Sequence, residues 1–228
     1  GWRILTVSNI LVVAVHPDDE TLGCGGTLLK HKAAGDLLHW LIVTAIHEKD
    51  GFSTEAVKRR RREIQAVSSM HGFDGIYNLD FPTTQLDIIP VVELVGRISN
   101  VFRQVEPNIV YLPFKGDIHT DHDITFRAAY SCTKGFRCPS IRKIIMMETL
   151  SETEFSPSTK EASFIPNMFV DITGFIDRKI AIMKTYESEI GNHPFPRSEK
   201  NIRALATFRG AAAGCEYAEG FMILKEIL

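Results

Sequence analysis

Short apolar runs alternate with longer amphipathic stretches over the first 134 residues. Runs such as Ile10 to Val15 are rich in β-branched residues and short enough for buried strands, while the stretches between them repeat apolar residues at helical spacing. Strands are predicted over residues 10–15, 37–44, 75–79, 108–113, 141–148, 167–171 and 220–226. Helices are predicted over residues 20–34, 54–71, 90–104, 121–134, 173–188 and 199–213. This order predicts an α/β fold with a mainly parallel sheet and helices on both faces.

The composition fits one globular domain. The chain has 228 residues, of which 44% are hydrophobic, so it can bury one substantial core, and we predict a single domain over residues 1–228. The net charge of −2 gives no general attraction to nucleic acid or to anionic membranes. No apolar stretch reaches transmembrane length and no leader is evident, so we expect a cytoplasmic protein without a membrane span. The oligomeric state stays open, a homo-oligomer included.

Cysteine and glycine spacings argue against two other classes of protein. The four cysteines lack the paired spacing of zinc fingers and redox sites, which predicts free thiols. Gly23, Gly25 and Gly26 lie too far from the first predicted strand, and at the wrong spacing, for a dinucleotide-binding loop. We expect them instead to let the first helix pack close to the sheet, or to line the floor of the pocket.

The segment His16-Pro17-Asp18-Asp19-Glu20 follows the first predicted strand directly. The carboxyl end of such a strand is where open α/β sheets bind ligands. His16 and Asp19 are three residues apart across a strand-to-helix corner, so both side chains can face one point. Asp18 lies between them and is the natural group to touch a metal-bound water.

A second polar segment, from His119 to His122, follows the predicted strand near residue 110. Its loop should emerge at the same edge of the sheet and supply a third ligand. A His/Asp/His set with one open position is the composition of a catalytic zinc site. Each segment alone also fits a solvated turn or a histidine that binds backbone groups. Two such segments, each after its own strand, favour a metal site.

These segments resemble the signatures of the LmbE-like, or PIG-L, family of zinc-dependent N-deacetylases. The first match runs from Ala14 to Gly26 and the second from His119 to His122. Weaker similarities cover most of the chain, at Arg60-x-x-Glu63, Gly72, Tyr186-Glu187-Ser188, Arg209-Gly210 and Tyr217-Ala218-Glu219. The resemblance implies a Rossmann-like three-layer sandwich that binds one zinc ion per chain.

The resemblance also implies a role for each site residue. The zinc ligands would be His16, Asp19 and His122, and Asp18 would be the general base. His119, in its protonated form, would stabilise the tetrahedral oxyanion and Asp121 would orient its imidazole. Asp121 could instead cap the helix that begins there.

The basic run from Lys58 to Arg62 opens an amphipathic helix. Most of this run is typical of a solvated helix face, with an anion-binding patch as the alternative. Arg60 is the exception, because the family's helix motif implies that it contacts the substrate. A guanidinium suits bidentate contacts to sugar or phosphate oxygens.

The expected reaction is hydrolysis of an acetamide on an amino sugar, with free N-acetylglucosamine-type sugars, nucleotide sugars and glycoconjugates all open. Two polar stretches, residues 151–163 and 191–198, are predicted loops that shape the substrate mouth. Two alternatives remain: a metal-dependent carbohydrate-binding protein without turnover, and a metallohydrolase acting on phosphoesters or another bond. The second would need more bridging carboxylates.

Overall fold

The computed structural model describes residues 7–157, 159 and 163–228. Seven strands lie in this part of the chain: β1 (Asn9–Ala14), β2 (Leu37–Ala45), β3 (Gly75–Pro82), β4 (Ile109–Leu112), β5 (Lys143–Met147), β6 (Met168–Asp171) and β7 (Ala218–Glu226). The described residues also form six α-helices: α1 (Asp19–Ala33), α2 (Thr54–His71), α3 (Val91–Val105), α4 (Thr120–Cys132), α5 (Ile176–Met183) and α6 (Glu199–Ala213). No helix in these ranges is long and apolar enough to cross a membrane.

The strands form one sheet in the order β3-β2-β1-β4-β5-β7-β6. The first five strands in sequence are mutually parallel, and β7 is antiparallel to both β5 and β6. The chain moves outward from β1 through β2 to β3 and then crosses back to β4 on the other side of β1. The switch point of the sheet therefore lies between β1 and β4, and their carboxyl ends are neighbours.

Alternate side chains of β1 enter two separate cores. Ile10 and Val12 pack into the core that contains α1, α5 and α6, whereas Leu11 and Val13 pack into the core that contains α3 and α4. A strand buried on both faces reads as a continuous apolar run, which is the pattern in the sequence. The predicted mainly parallel sheet with helices on both faces is confirmed.

Helix α1 approaches the sheet very closely. A Cβ atom built on Gly23 would lie 2.9 Å from Cβ of Met147 in β5, so a larger residue does not fit there. One built on Gly26 would lie 2.7 Å from Cγ2 of Ile172, the residue that follows β6. These contacts agree with the packing role expected for the glycines. The helix is also broken at Cys24, where φ is −148° and ψ is 23°.

The buried ion pair between Lys179 and Glu219, both distant in sequence from α1, spans the break in this helix. Lys179 Nζ donates to the carbonyl oxygen of Leu22, 2.9 Å away, and contacts Glu219 Oε1 at 2.7 Å. The Glu219 carboxylate accepts the backbone N–H groups of Gly26 and Thr27 at 2.9 and 2.7 Å. The carbonyl before the break and the amides after it are thus both satisfied.

The predicted helix over residues 173–188 is too long at both ends. Helix α5 covers Ile176–Met183, and the chain then turns through hydrogen bonds from Thr185 and Tyr186 back to Ile182 and Met183. Tyr186 itself is fully buried. An apolar residue that continues the helical spacing can therefore belong to a turn that packs into the same core.

Candidate active site

The two polar segments meet at the switch point, as the parallel pairing of β1 with β4 requires. His16 follows β1, and His119 and His122 lie at the start of α4, which follows β4. The ring centroids of His16 and His119 are 4.6 Å apart, and those of His16 and His122 are 5.4 Å apart. Three imidazoles from segments a hundred residues apart therefore share one site.

His16, Asp19 and His122 could hold a metal ion together. One nitrogen or oxygen of each lies within 4.8 Å of the others. Asp19 Oδ2 is 3.8 Å from His16 Nδ1 and 3.4 Å from His122 Nε2. His16, His119 and Asp121 form a second group of the same compactness.

A carboxylate lies behind each histidine of the first group. His122 Nδ1 is 2.8 Å from Asp117 Oδ2, and Asp117 Oδ1 accepts the hydroxyl of Thr153 at 2.6 Å. His16 Nε2 is 3.5 Å from Asp121 Oδ2. Carboxylates at the far nitrogen commonly orient metal-binding histidines. Asp117 was not assigned a role from the sequence, although its place five residues before His122 was an available signal.

The donor set fits a cation. His122 Nε2 is buried and has no hydrogen-bond partner among the described residues. Burial lowers the pKa of His122, but the carboxylates of Asp19 and Asp117 outweigh burial and raise that pKa to about 9. Asp18, Asp19, Asp117 and Asp121 are all buried around these imidazoles. Such a concentration of buried carboxylates is costly without a compensating positive charge.

Asp121 does not have the partner predicted from the sequence. Its carboxylate accepts the backbone N–H groups of Thr84 and Leu86 at 2.6 and 3.2 Å, and it faces His16. Burial acts to raise the pKa of Asp121, but these contacts outweigh it and lower the pKa. Asp121 does not cap α4 either, because the side chain of His119 is the cap of that helix.

The capping contact fixes how His119 can act. Its Nδ1 accepts the backbone N–H of Asp121 at 3.1 Å, which leaves the ring proton on Nε2. Burial and the neighbouring imidazoles of His16 and His122 lower the pKa of His119 to about 4. The structure therefore favours a neutral His119 that donates from Nε2, in place of the imidazolium that the family resemblance implied.

Asp18 has a strained backbone at the wall of the site. Its φ is 139° and ψ is −27°, in the left-handed half of the map that non-glycine residues rarely adopt. Its N–H donates to Glu20 Oε2 at 3.0 Å. Burial and the carboxylates of Asp19 and Glu189 raise the pKa of Asp18 well above its usual value. Strain and a shifted pKa at one residue are typical of functional positions.

A buried polar network supports this strained turn from below. Glu20 Oε1 accepts the hydroxyls of Thr21 and Tyr186 at 2.6 and 2.8 Å. Since the single Thr21 proton goes to Glu20, the Thr21 oxygen accepts from His71 Nε2, 3.0 Å away. The contact of Glu20 with Tyr186, and its link through Thr21 to His71, could not be predicted from the sequence, because Glu20, His71 and Tyr186 are far apart along the chain.

A cavity of about 450 Å³ opens above the histidines. Both predicted mouth loops contribute to it, through Ser151, Glu152 and Arg197, while residues 158 and 160–162 of the first loop lie outside the described part of the chain. Arg60 also lines the cavity. Its guanidinium is held by protein groups: the side chains of Glu63, Ser188 and Glu189 and the carbonyl of Pro17.

The fold and the site define a Rossmann-like α/β protein whose His/Asp/His cluster, at the switch point of the sheet, could hold a metal ion. The chain belongs to the PIG-L (LmbE-like) family: the family described as "PIG-L: GlcNAc-PI de-N-acetylase" matches residues 11–133, more than half of its length. The resemblance seen in the sequence is thereby confirmed.

Three proteins are similar over nearly the whole chain. A diacetylchitobiose deacetylase of Thermococcus kodakarensis is 27% identical, over 97% of this chain and 85% of its own. The structure of a conserved protein of Thermus thermophilus superposes with a TM-score of 0.77 at 27% identity, covering 97% of both chains. The N,N'-diacetylchitobiose deacetylase of Pyrococcus horikoshii gives a TM-score of 0.76 at 22% identity, over 95% of this chain and 83% of that one.

Proposed function

We propose that this protein is a zinc-dependent deacetylase that hydrolyses the acetamide of an N-acetylated amino sugar, with one zinc ion per chain. The observation that carries the proposal is the buried His122 Nε2, without a partner among the described residues, beside Asp19 and His16. His16, Asp19 and His122 would hold the ion. Family membership and the named activity of the Thermococcus relative support the choice of substrate.

Bound zinc would supply a water of lowered pKa and a Lewis acid for the acetyl carbonyl. Asp18 would accept the proton of the attacking water and return one to the leaving amine. A cation beside Asp18 would also lower the pKa of this residue, which burial and the like charges of its neighbours raise. His119 Nε2–H would donate to the developing oxyanion, with its tautomer fixed by the Asp121 amide.

Asp121 and Arg60 would act through other residues. Asp121 lies at the far nitrogen of His16, so it would orient a ligand rather than the oxyanion donor. Arg60 joins the Pro17 carbonyl to Glu189, so it would position the catalytic turn and the cavity wall. A direct contact from Arg60 to substrate would require it to exchange one of these partners.

The test combines metal content with acetate release from N-acetylglucosamine and N,N'-diacetylchitobiose. His16→Ala, Asp19→Ala and His122→Ala should each lose most bound zinc, since two protein ligands remain. His119→Ala should keep zinc and lose about a hundredfold or more in kcat, the usual effect of removing an oxyanion donor. Full zinc occupancy in His122→Ala would contradict the ligand assignment.

Two outcomes would select the alternative functions. Sugar binding without acetate release from either sugar at saturating zinc would indicate a carbohydrate-binding protein. Two zinc ions per chain and release of phosphate from phosphoesters would indicate a two-metal hydrolase.

A further inference from the structure

Positive charge is concentrated between helix α4 and strand β5. The stretch between Asp123 and Glu148 contains five cations and no acid, in a chain whose net charge is −2. Two of these cations are paired with acids, Arg127 with Asp123 and Lys143 with Glu226. The other three are exposed and have no ion-pair partner among the described residues: Lys134, Arg137 and Arg142.

A further cation reaches the same surface from strand β7. Lys225 is paired with Ile144 across the ladder of β5 and β7, and its Nζ would lie 3.9 Å from a Cβ atom built on Gly135. Lys225 also has no ion-pair partner in the part of the chain that the structure describes. Glu106 and Glu226 lie at this edge of the sheet, but the cations outnumber them, so the surface is positive.

An aromatic side chain projects from the middle of this positive surface. The N–H groups of Arg137 and Cys138 both donate to the carbonyl oxygen of Lys134, at 2.8 and 3.0 Å, which closes a turn. Phe136 lies within the turn and is 81% exposed. Cys138 packs into the core beside α4, so the turn is anchored and holds Phe136 outward. The turn therefore presents an apolar tip between two cations.

The shape and the charge of this surface suit an anionic bilayer. A projecting apolar tip can enter the boundary of the acyl chains while the flanking cations stay among the headgroups. Each Lys or Arg near an anionic lipid surface adds a similar increment of attraction. A nucleic acid or an acidic peptide is instead bound in a groove, where bases stack or backbones pair, and Phe136 projects outward from the protein.

The positive surface lies at the opposite edge of the sheet from the histidines. Strands β1, β4 and β5 are parallel, and His16 follows the end of β1, whereas the loop precedes the start of β5 at Lys143. A protein docked through this loop would keep its cavity open to water. Docking and the proposed chemistry therefore use separate parts of the molecule.

We infer that this surface docks the protein on anionic phospholipid bilayers, with Phe136 inserted between the headgroups. The docking surface consists of Lys134, Phe136, Arg137, Arg142 and Lys225. The inference does not depend on the proposed function, because no residue of the surface contributes to the cavity over the histidines.

The experiment is cosedimentation of the purified protein with vesicles of phosphatidylcholine, alone or with about one third phosphatidylserine. The protein should bind the mixed vesicles only, and less at high salt. Lys134→Ala/Arg137→Ala should lower the partition coefficient about 25-fold, about fivefold for each cation. The matched control Lys58→Ala/Arg62→Ala removes the same charges from the exposed face of α2 and should leave the coefficient unchanged.

A second variant tests the insertion of the aromatic tip. Phe136→Ser should lower the partition coefficient about tenfold, because apolar area no longer leaves water. Phe208→Ser is its control, since Phe208 is also exposed and also lies beside an arginine, Arg209, but on α6. An unchanged coefficient in either loop variant would overturn the inference.

Three further outcomes would contradict bilayer docking. Equal binding to both kinds of vesicle would show that anionic lipid is not recognised. Binding to RNA or to polyglutamate that Lys134→Ala/Arg137→Ala abolishes, without binding to vesicles, would assign the surface to a polyanion in solution. Self-association that Phe136→Ser removes, again without binding to vesicles, would show that a second copy of the chain covers the loop.

Discussion

The residue with the clearest conflict between stability and function is Asp18. Its backbone is strained, and burial together with the carboxylates of Asp19, Glu189 and Glu20 raises the pKa of its carboxyl group. None of these features favours folding. They place a proton acceptor next to the predicted metal ligands, and the hydrogen bond from its N–H to Glu20 holds it there.

Two substitutions at Asp18 should separate these effects. Asp18→Asn should keep zinc and the fold but lose activity about a hundredfold or more, because the general base is gone. Asp18→Gly should also be inactive, yet raise the free energy of unfolding by about 1 kcal/mol, because glycine adopts a positive φ without strain and the buried carboxyl is removed. Acetate release and urea unfolding check both results. Wild-type turnover in Asp18→Asn would remove the residue from the mechanism.

Sequence reasoning predicted which residues come together at this edge of the sheet but missed several of their partners. His16, Asp19, His119 and His122 each follow a predicted strand, so topology alone places them together. The orientation of Asp121 depends on the amides of Thr84 and Leu86, which arrive from the loop after β3. A motif specifies the spacing of residues along the chain but not the direction in which a carboxylate points. That direction depends on hydrogen-bond donors, which any of several neighbouring elements can supply.

At the scale of elements, helix α1 is two helical pieces joined at Cys24. The first piece carries Asp19 and Glu20, and the second packs through Gly26 against Ile172, the residue that follows β6. Helical spacing in the sequence predicted one continuous helix over residues 20–34. The break could not be predicted, because it is stabilised by the distant residues Lys179 and Glu219 and is not marked by a local signal such as proline.

Loss of the Lys179–Glu219 pair should therefore loosen the metal site as well as the fold. Glu219→Gln leaves Lys179 buried without its counter-charge and should lower the free energy of unfolding by about 3 to 5 kcal/mol. Adding Lys179→Met should recover part of this loss, since no unpaired charge remains. Zinc affinity should weaken in the single variant and recover partly in the double variant.

The exposed pair Lys184–Glu199 is the matched control, and Lys184→Met/Glu199→Gln should change both measurements little. Urea unfolding with parallel zinc titration provides the comparison. Equal stability losses in the single and double variants would show that the charge balance of the pair is unimportant. Unchanged zinc affinity in every variant would show that the break in α1 does not position the ligands.

At the scale of the whole molecule, buried histidine makes stability depend on pH. Burial, with smaller contributions from Arg178 and Lys179, lowers the pKa of His71 to about 3, against an ordinary value of 6.5. Above pH 6.5 the residue is neutral in both the folded and the unfolded states. Below pH 6.5 the unfolded chain binds the proton first, so folding stability falls by about 1.4 kcal/mol per pH unit from this group down to about pH 3.

His71→Gln should flatten this acid slope while keeping a donor for Thr21. His193→Gln, at an exposed position, is the control and should leave the slope as in the wild type. Thermal unfolding between pH 4 and pH 7 is the measurement. An acid slope equal to that of the wild type in His71→Gln would assign the pH dependence to other groups.

The fold class was predictable because five strands are parallel and alternate with helices, which fixes most of the sheet order. The antiparallel placement of β7 between β5 and β6 was not, since nothing in its apolar pattern distinguishes the two directions. Its position matters for the site, because the strand that enters the sheet in this way carries Glu219.

Glu219 has a consequence for how the protein is made. Gly26 leaves the ribosome 193 residues before the carboxylate that accepts its N–H, and every predicted zinc ligand is synthesised before that carboxylate. Domains fold while synthesis proceeds from the N-terminus, so a nascent chain can pair its first five strands early. The turn that carries Asp18 and Asp19 gains its final support when the last strand arrives. We therefore expect the site to reach its final form only after β7 has been synthesised.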